Sequence, residues 1–398
     1  MKILVYEWRA YPYRDVLENF RALGAQIFFV EYKLEHYDED AVFEALLEKR
    51  IEETGCDFVF TMNYFAAIAA VCERLRVKYV AWTCDSPLIS MYHETVFSEY
   101  NYIFTFDKTN YLEFLQMGVT HIFYLPLAVD TDRLDCMLSR VEQPAIETSC
   151  AEQNVIKKTN ADISFVGSLY ERNTYDSLEK VLPDYLRGYF DACIRAQLAV
   201  TEGNIIEEML TPDILSELQG YFKLEKSEGS FSDLGLIFQT TVLGFKVAAE
   251  QRRRALRALS GKFPVTAYSN SDFSMLKKVR ALGSVDYWSQ MPFVFHQSKI
   301  NLNFTIPNIK SGIPLRVWDV LGCGGFLLTN RQAELAYYFK DGEDMVCFSD
   351  EADLIKKAEY YLTHEAERMQ IAKNGYQKVK EEHTYRNRLE KIISIVMN

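Results

Sequence analysis

The sequence predicts an α/β protein of two Rossmann-like units, and three observations predict it. At 398 residues the chain is longer than one ordinary hydrophobic core serves. Short continuous apolar runs alternate with helical stretches, the pattern of a parallel sheet covered on both faces. That alternation breaks near residue 131 and starts again near 161.

In the first unit the strands are read at KILVY (2–6), QIFFVEY (26–32), DFVFTM (57–62), VKYVAW (77–82), NYIFTF (101–106) and THIFYLPL (120–127). Between them lie helical stretches such as RDVLENFRAL and DEDAVFEALLEKRIEET, the latter stopped by Gly55. The polar stretch 131–160 has no clear period and reads as a linker between a first domain at 1–130 and a second at 161–380. ADISFVGSLY (161–170) opens the second unit, and 175–243 reads as a helical insertion or lid. FPVTAYS, KINLNFT, FLLTN and DMVCFS continue the β/α series. The last helix carries an apolar stripe of Tyr385, Leu389, Ile392, Ile393 and Val396.

Composition narrows the function. A formal net charge of −12 argues against broad binding to nucleic acid or anionic membranes, although a local basic cleft can still hold one phosphorylated ligand. The eight cysteines form no C-x-x-C pair, so reduced thiols are expected in place of zinc or a disulfide framework. No uncharged apolar run reaches the length of a membrane span, and the first residues lack an export signal, so a cytoplasmic protein is expected.

The segment SKINLNFTIPNIKSGIPLRVWDVLGCGGFLLTN (298–330) is the richest in chemistry. Lys310, Ser311 and Gly312 precede a helix, where backbone N–H groups and the helix dipole favour phosphate. Arg316 and Asp319, three residues apart, share one helix face. Arg316 can grip a diphosphate and Asp319 can accept from ribose hydroxyls; the alternative is a plain Arg–Asp pair. In FVGSLYERN a strand ends at Gly167, where the missing Cβ lets a ligand approach, and Ser168 and Arg172 follow. The alternative there is a turn glycine beside a solvated arginine. Lys299 is a further cation, for phosphate or for a structural salt bridge. In the first unit Glu7, Asn63 and Asp85 follow strands and so fall at the ligand-binding end of a parallel sheet. Asp85 is the candidate general base, or alternatively a cap in the Asp-Ser-Pro turn. His93, His121 and His296 show no triad spacing, and His296 is taken as a cleft residue.

SGIPLRVWDVLGCGGFLLTN with the later HTYRNRL resembles the C-terminal domain of glycosyltransferases of the CgeB-like, spore-maturation type. WTCDSP (82–87), YLPLAVD (124–130) and FVGSLYERN carry the same resemblance, so it extends over nearly the whole chain. It implies a GT-B fold: two facing Rossmann-like domains, with a last helix, 381–398, returning to the first. It also implies a donor nucleotide on the second domain and an acceptor on the first. In the wider retaining GT-B group the matching helix carries two glutamates; here those positions are Ser311 and Asp319, and Ser311 cannot supply a carboxylate.

The expected activity is transfer of a sugar from a nucleoside diphosphate sugar, a UDP-sugar first, to a hydroxyl of a protein, polysaccharide or small molecule. Asp85, Arg172 and Arg316 are the expected catalytic residues. Gly167, Ser168, Lys299, Lys310, Ser311, Gly312 and Asp319 are expected on the donor, and Glu7, Asn63 and His296 in the acceptor cleft. No cofactor and no metal are expected. A sugar-nucleotide epimerase and a non-catalytic sugar-nucleotide-binding protein are the alternatives; the missing carboxylate at Ser311 speaks for the second.

Overall fold

The computed structural model describes residues 1–142, 160–200 and 202–398. Strands β1 (Lys2–Tyr6), β2 (Gln26–Val30), β3 (Phe58–Met62), β4 (Lys78–Trp82), β5 (Asn101–Thr105) and β6 (Ile122–Tyr124) make one sheet, ordered β2-β1-β3-β4-β5-β6. Strands β7 (Ile163–Val166), β8 (Val265–Tyr268), β9 (Val279–Ala281), β10 (Ile300–Asn303), β11 (Leu327–Asn330) and β12 (Val346–Phe348) make the other, ordered β12-β11-β10-β7-β8-β9. Every pairing within both sheets is parallel. Helices cover both faces, which is why strands such as Phe58–Met62 are buried at every position.

The local sequence explains the elements. The helix Ala41–Thr54 starts where the Asp40 carboxylate accepts from the Phe43 N–H at 3.1 Å and stops at Gly55, which takes a left-handed conformation (φ 54°). β9 is a strand the sequence reading did not contain: it has three residues, and only Val279 is buried. Thr131–Glu142, read from sequence as part of the linker, is a helix whose Leu134 and Leu138 are buried. Residues 143–159 of that expected linker lie outside the described residues.

The two units meet through one shared core. It joins Tyr13 and Phe20 of the first, Val317, Trp318 and Val320 of the second, and Tyr385, Leu389, Ile392 and Val396 of the last helix. That helix, Tyr385–Met397, returns to the first unit. Tyr385 packs edge-on to Trp82 at 6.0 Å, its N–H donates to the Val129 carbonyl at 3.2 Å, and the Lys78 ammonium donates to the Val396 carbonyl. The stripe read from sequence is therefore the contact face, with Ile393 partly buried at its side. The insertion 175–243 has its own core around Phe190, Leu218 and Phe238. Among the described residues no helix is long and apolar enough to cross a membrane.

Candidate functional site

In the second sheet the strand order reverses between β7 and β10, and ligands of such sheets bind beyond the strand ends at that point. A cavity of ≈ 490 Å³ lies there, lined by Gly167, Ser168, Arg172, Tyr287 and Arg316, with Tyr11 reaching in from the first unit. Gly167 has φ 156° and its N–H donates to the Tyr268 carbonyl at 3.4 Å, a backbone geometry that a side chain rarely adopts. The chain then turns sharply: the Ser168 hydroxyl accepts from the Tyr170 N–H at 2.9 Å, with Tyr170 itself left-handed (φ 52°). Tyr11 and Tyr287 stack with ring centroids 5.1 Å apart, so the cavity has an aromatic wall built from both units.

The cations of this cavity are unequally occupied. Arg172 is exposed and has no ion-pair partner among the described residues. Arg316 lies over the Phe295 ring at 5.1 Å, donates to the Met291 sulfur at 2.6 Å, and reaches Asp319 at 3.4 Å. Asp319 is only 4 % exposed and accepts from the Tyr287 hydroxyl at 2.7 Å, so it stands behind the aromatic wall and not on the cavity surface. Burial pushes its carboxyl up to about 6, against the opposing pull of Arg316.

Sequence reasoning missed Arg252. It lies on the helix Gly244–Ser260 and donates to the Ser168 carbonyl at 2.6 Å and the Phe304 carbonyl at 2.9 Å, joining the ends of β7 and β10. Its guanidinium lies over the Tyr170 ring at 4.7 Å, its Nε has no partner, and no carboxylate pairs with it among the described residues. Burial lowers its pKa, and the nearby Arg316 charge adds to this. Arg252 is half-buried with its Nε shielded from solvent, and a partly desolvated cation without a counter-ion favours an anion beside it. The signal was present in AAEQRRRALRAL: Arg252 falls on the same helix face as Ala248, Ala255, Leu256 and Leu259, all buried.

At the facing strand ends of the first unit, Asp85 and Glu7 are exposed and Asn63 is buried. Asn63 is left-handed (φ 62°) and its side chain clamps the turn after β4: Oδ1 accepts from the Cys84 N–H at 2.8 Å, and Nδ2 donates to Asp85 Oδ2 at 2.7 Å. It orients Asp85 and does not itself line the cleft.

Five other expected site residues lie elsewhere. Lys299 precedes β10 and pairs with Asp162 at 2.6 Å, and His296 hydrogen-bonds the Cys323 carbonyl at 2.9 Å. Both are at the start of β10, the end of the sheet away from the cavity, and so neither reaches a donor or acceptor there. Lys310, Ser311 and Gly312 sit in the seam between the units. The amides of Lys310 and Ser311 donate to the Asp107 carboxylate, at 2.8 and 3.3 Å, which therefore occupies the place expected for phosphate. The Ser311 hydroxyl touches both Asp107 at 2.8 Å and Glu334 at 2.7 Å. Burial raises the Glu334 pKa. A Cβ on Gly312 would come within 2.9 Å of the Asp107 backbone.

Comparison with known proteins places this geometry in a class. The chain superposes along 99 % of its length on 97 % of a glycosyltransferase from Rickettsia africae ESF-5 (TM-score 0.57, 11 % identity). It superposes along 100 % of its length on 98 % of a UDP-forming α,α-trehalose-phosphate synthase from Burkholderia xenovorans (TM-score 0.57, 12 % identity). Anabaena HepE, solved with UDP and glucose, matches over 100 % of this chain and 99 % of its own (TM-score 0.55, 10 % identity). The fold is GT-B. Residues 250–394 match the model of a family described as glycosyl transferase-like. No curated protein matches the chain.

Proposed function

We propose that this chain is a glycosyltransferase of the CgeB-like type that takes a UDP-sugar and transfers its sugar to an acceptor hydroxyl. One observation carries the reading: Arg252, half-buried and without a carboxylate partner among the described residues, lies under the Gly167–Ser168 turn, with Arg172 and Arg316 at the cavity above it. Three guanidinium groups at the switch point of a Rossmann-type sheet suit a diphosphate. The match of residues 250–394 to a glycosyl transferase-like family and the UDP-bound state of HepE support the same choice of ligand.

In the proposed reaction the bond between the sugar C1 and the diphosphate oxygen breaks, and its electron pair leaves with UDP. The acceptor oxygen bonds to C1, and its proton passes to Asp85, which Asn63 holds in place. The arginines stabilise charge growing on the leaving diphosphate, the role a metal ion plays in other transferases. The Tyr11–Tyr287 wall offers the nucleobase or ribose an aromatic surface.

Calorimetry with UDP and UDP-glucose tests this directly. The wild type is expected to bind both, and Arg172→Ala is expected to lower turnover of the donor, hydrolysis included, by about one hundred-fold, the scale of losing one preorganised charge contact. Absence of UDP-sugar binding, or an unchanged rate in Arg172→Ala, removes the diphosphate site from this cavity.

A further inference from the structure

The insertion 175–243 is docked onto the first unit. Ser230 bridges His93 in antiparallel fashion, and the Phe231 N–H donates to the Tyr92 carbonyl at 2.9 Å. The Phe231 ring packs against Tyr92 at 5.8 Å and Phe97 at 5.9 Å, and the Ser227 hydroxyl donates to Asp38. This docking leaves a second cavity, of ≈ 460 Å³ and open to solvent on one side, between the insertion, the helix Lys108–Gln116 and the loop at Lys310.

Gln239 marks this cavity as more than a packing gap. It is only 4 % exposed, lines the cavity, and its Oε1 has no hydrogen-bond partner. It belongs to a π-helical turn, Phe238–Leu243, that interrupts the helical run, and such turns recur at functional sites. The turn is held open by Asn308, whose amide donates to the Thr240 carbonyl at 2.7 Å. A buried amide oxygen without a partner is unfavourable until a donor reaches it.

The other wall groups define what that donor belongs to. The cavity wall carries three carboxylates, Glu113, Glu207 and Asp233, and one ammonium, Lys310, which is already paired with Glu113 at 2.6 Å and Glu207 at 2.7 Å. Such a surplus of acceptor oxygens repels phosphate and carboxylate ligands. Asp233 spends one oxygen on the Leu236 N–H at 2.7 Å. Tyr92 and Phe231 contribute ring faces, and burial together with Glu113 and Glu207 raises the Tyr92 pKa, which keeps its hydroxyl protonated. Acceptor oxygens beside aromatic faces suit a ligand with many hydroxyls and apolar C–H faces.

We infer that this cavity is a saccharide subsite, taking a neutral or amino sugar from the non-reacting part of an oligosaccharide acceptor. The inference rests on the transferase reading for the word acceptor; the binding itself does not. The insertion thereby acquires a role: it completes a glycan site that neither sheet unit has alone.

Saturation-transfer NMR with a panel of free tetrasaccharides of glucose, galactose, mannose and N-acetylglucosamine tests it. The wild type is expected to show transfer to at least one, and Gln239→Leu and Phe231→Ala are each expected to weaken it tenfold or more. Thermal unfolding checks that each variant is folded, and Gln239→Leu serves where Phe231→Ala undocks the insertion. No signal from any tetrasaccharide, or signals undiminished in folded Gln239→Leu, overturns the subsite. UDP-glucose calorimetry on the same wild-type sample reports separately on the transferase reading, so the two failures are distinguishable.

Discussion

At the scale of single residues, the site depends on which end of a strand a side chain occupies. Asp85 follows β4 and is exposed at the cleft end, with Asn63 fixing its Oδ2 at 2.7 Å. Asp85→Asn keeps the size of the side chain and removes the proton acceptor. Transfer is expected to fall by about 10²–10⁴-fold, the usual contribution of a general base, while UDP affinity stays within a factor of two or so. Equal transfer rates in a radiolabelled-donor assay would remove Asp85 from the chemistry. Lys299 shows the same rule in reverse: as the residue before β10 it had to lie at the far end of a parallel strand, and that much was legible in the order of KINLNF. The fate of Lys310 and Ser311 was not. Their amides are taken by Asp107, some two hundred residues earlier in the chain, and no local pattern announces a contact of that separation.

At the scale of elements, eleven of the twelve strands were legible because each carries a short, mostly apolar run, although burial along them ranges from every position of β3 to a single position of β2. β9 escaped because Arg280 and Ala281 are exposed, leaving no apolar run to read. The π-turn of the insertion escaped for a different reason: FQTTVL has no signature of its own, and the turn is set by contacts from outside it. Gly244, which ends the turn, is where those contacts converge. A Cβ there would lie 2.2 Å from Asn308 Oδ1 and 2.9 Å from the Gln239 carbonyl. Alanine is a better helix former than glycine, so propensity alone favours Gly244→Ala by up to about 1 kcal/mol. The clash outweighs this, because Asn308 is held by Thr240 and the Gln239 carbonyl is backbone. Gly244→Ala is expected to destabilise the protein by roughly 1–3 kcal/mol in urea unfolding. A neutral or stabilising result would show that the π-turn yields easily and that Asn308 does not set it.

At the scale of the whole molecule, the two units are joined by buried charge as well as by apolar surface. Asp15 of the first unit is fully buried and accepts from Arg133 at 2.7 and 3.2 Å; Arg133 in turn lies over Trp288 of the second unit at 4.1 Å. Burial pushes the Asp15 carboxyl up to about 7 despite Arg133, with Asp130 and Asp319 adding to the rise. Asp319 is raised to about 6, again chiefly by burial. Both carboxyls ionise near 3.8 when unfolded. Between that value and their folded values the native state holds more protons, so their stabilising contribution is full at low pH and is lost as pH rises toward 6 and 7. His383 opposes them. Burial, Arg388 and Lys378 lower it from 6.5 to about 3, so its contribution is present above 6.5 and lost as pH falls. Because these slopes have opposite signs, the wild-type curve alone cannot assign them, and the comparison with Asp319→Asn can. Asparagine keeps an acceptor for the Tyr287 hydroxyl and removes one titrating carboxyl together with its repulsion of Asp15. Relative to wild type, the variant is expected to gain stability steadily from pH 4 to pH 6 and then level off. A shift from 3.8 to about 6 limits that gain to on the order of 3 kcal/mol. Urea unfolding at four or five pH values measures it. Parallel curves for the two proteins would mean that Asp319 ionises in the native state as it does in the unfolded chain, and that the seam between the units does not hold it as a buried acid.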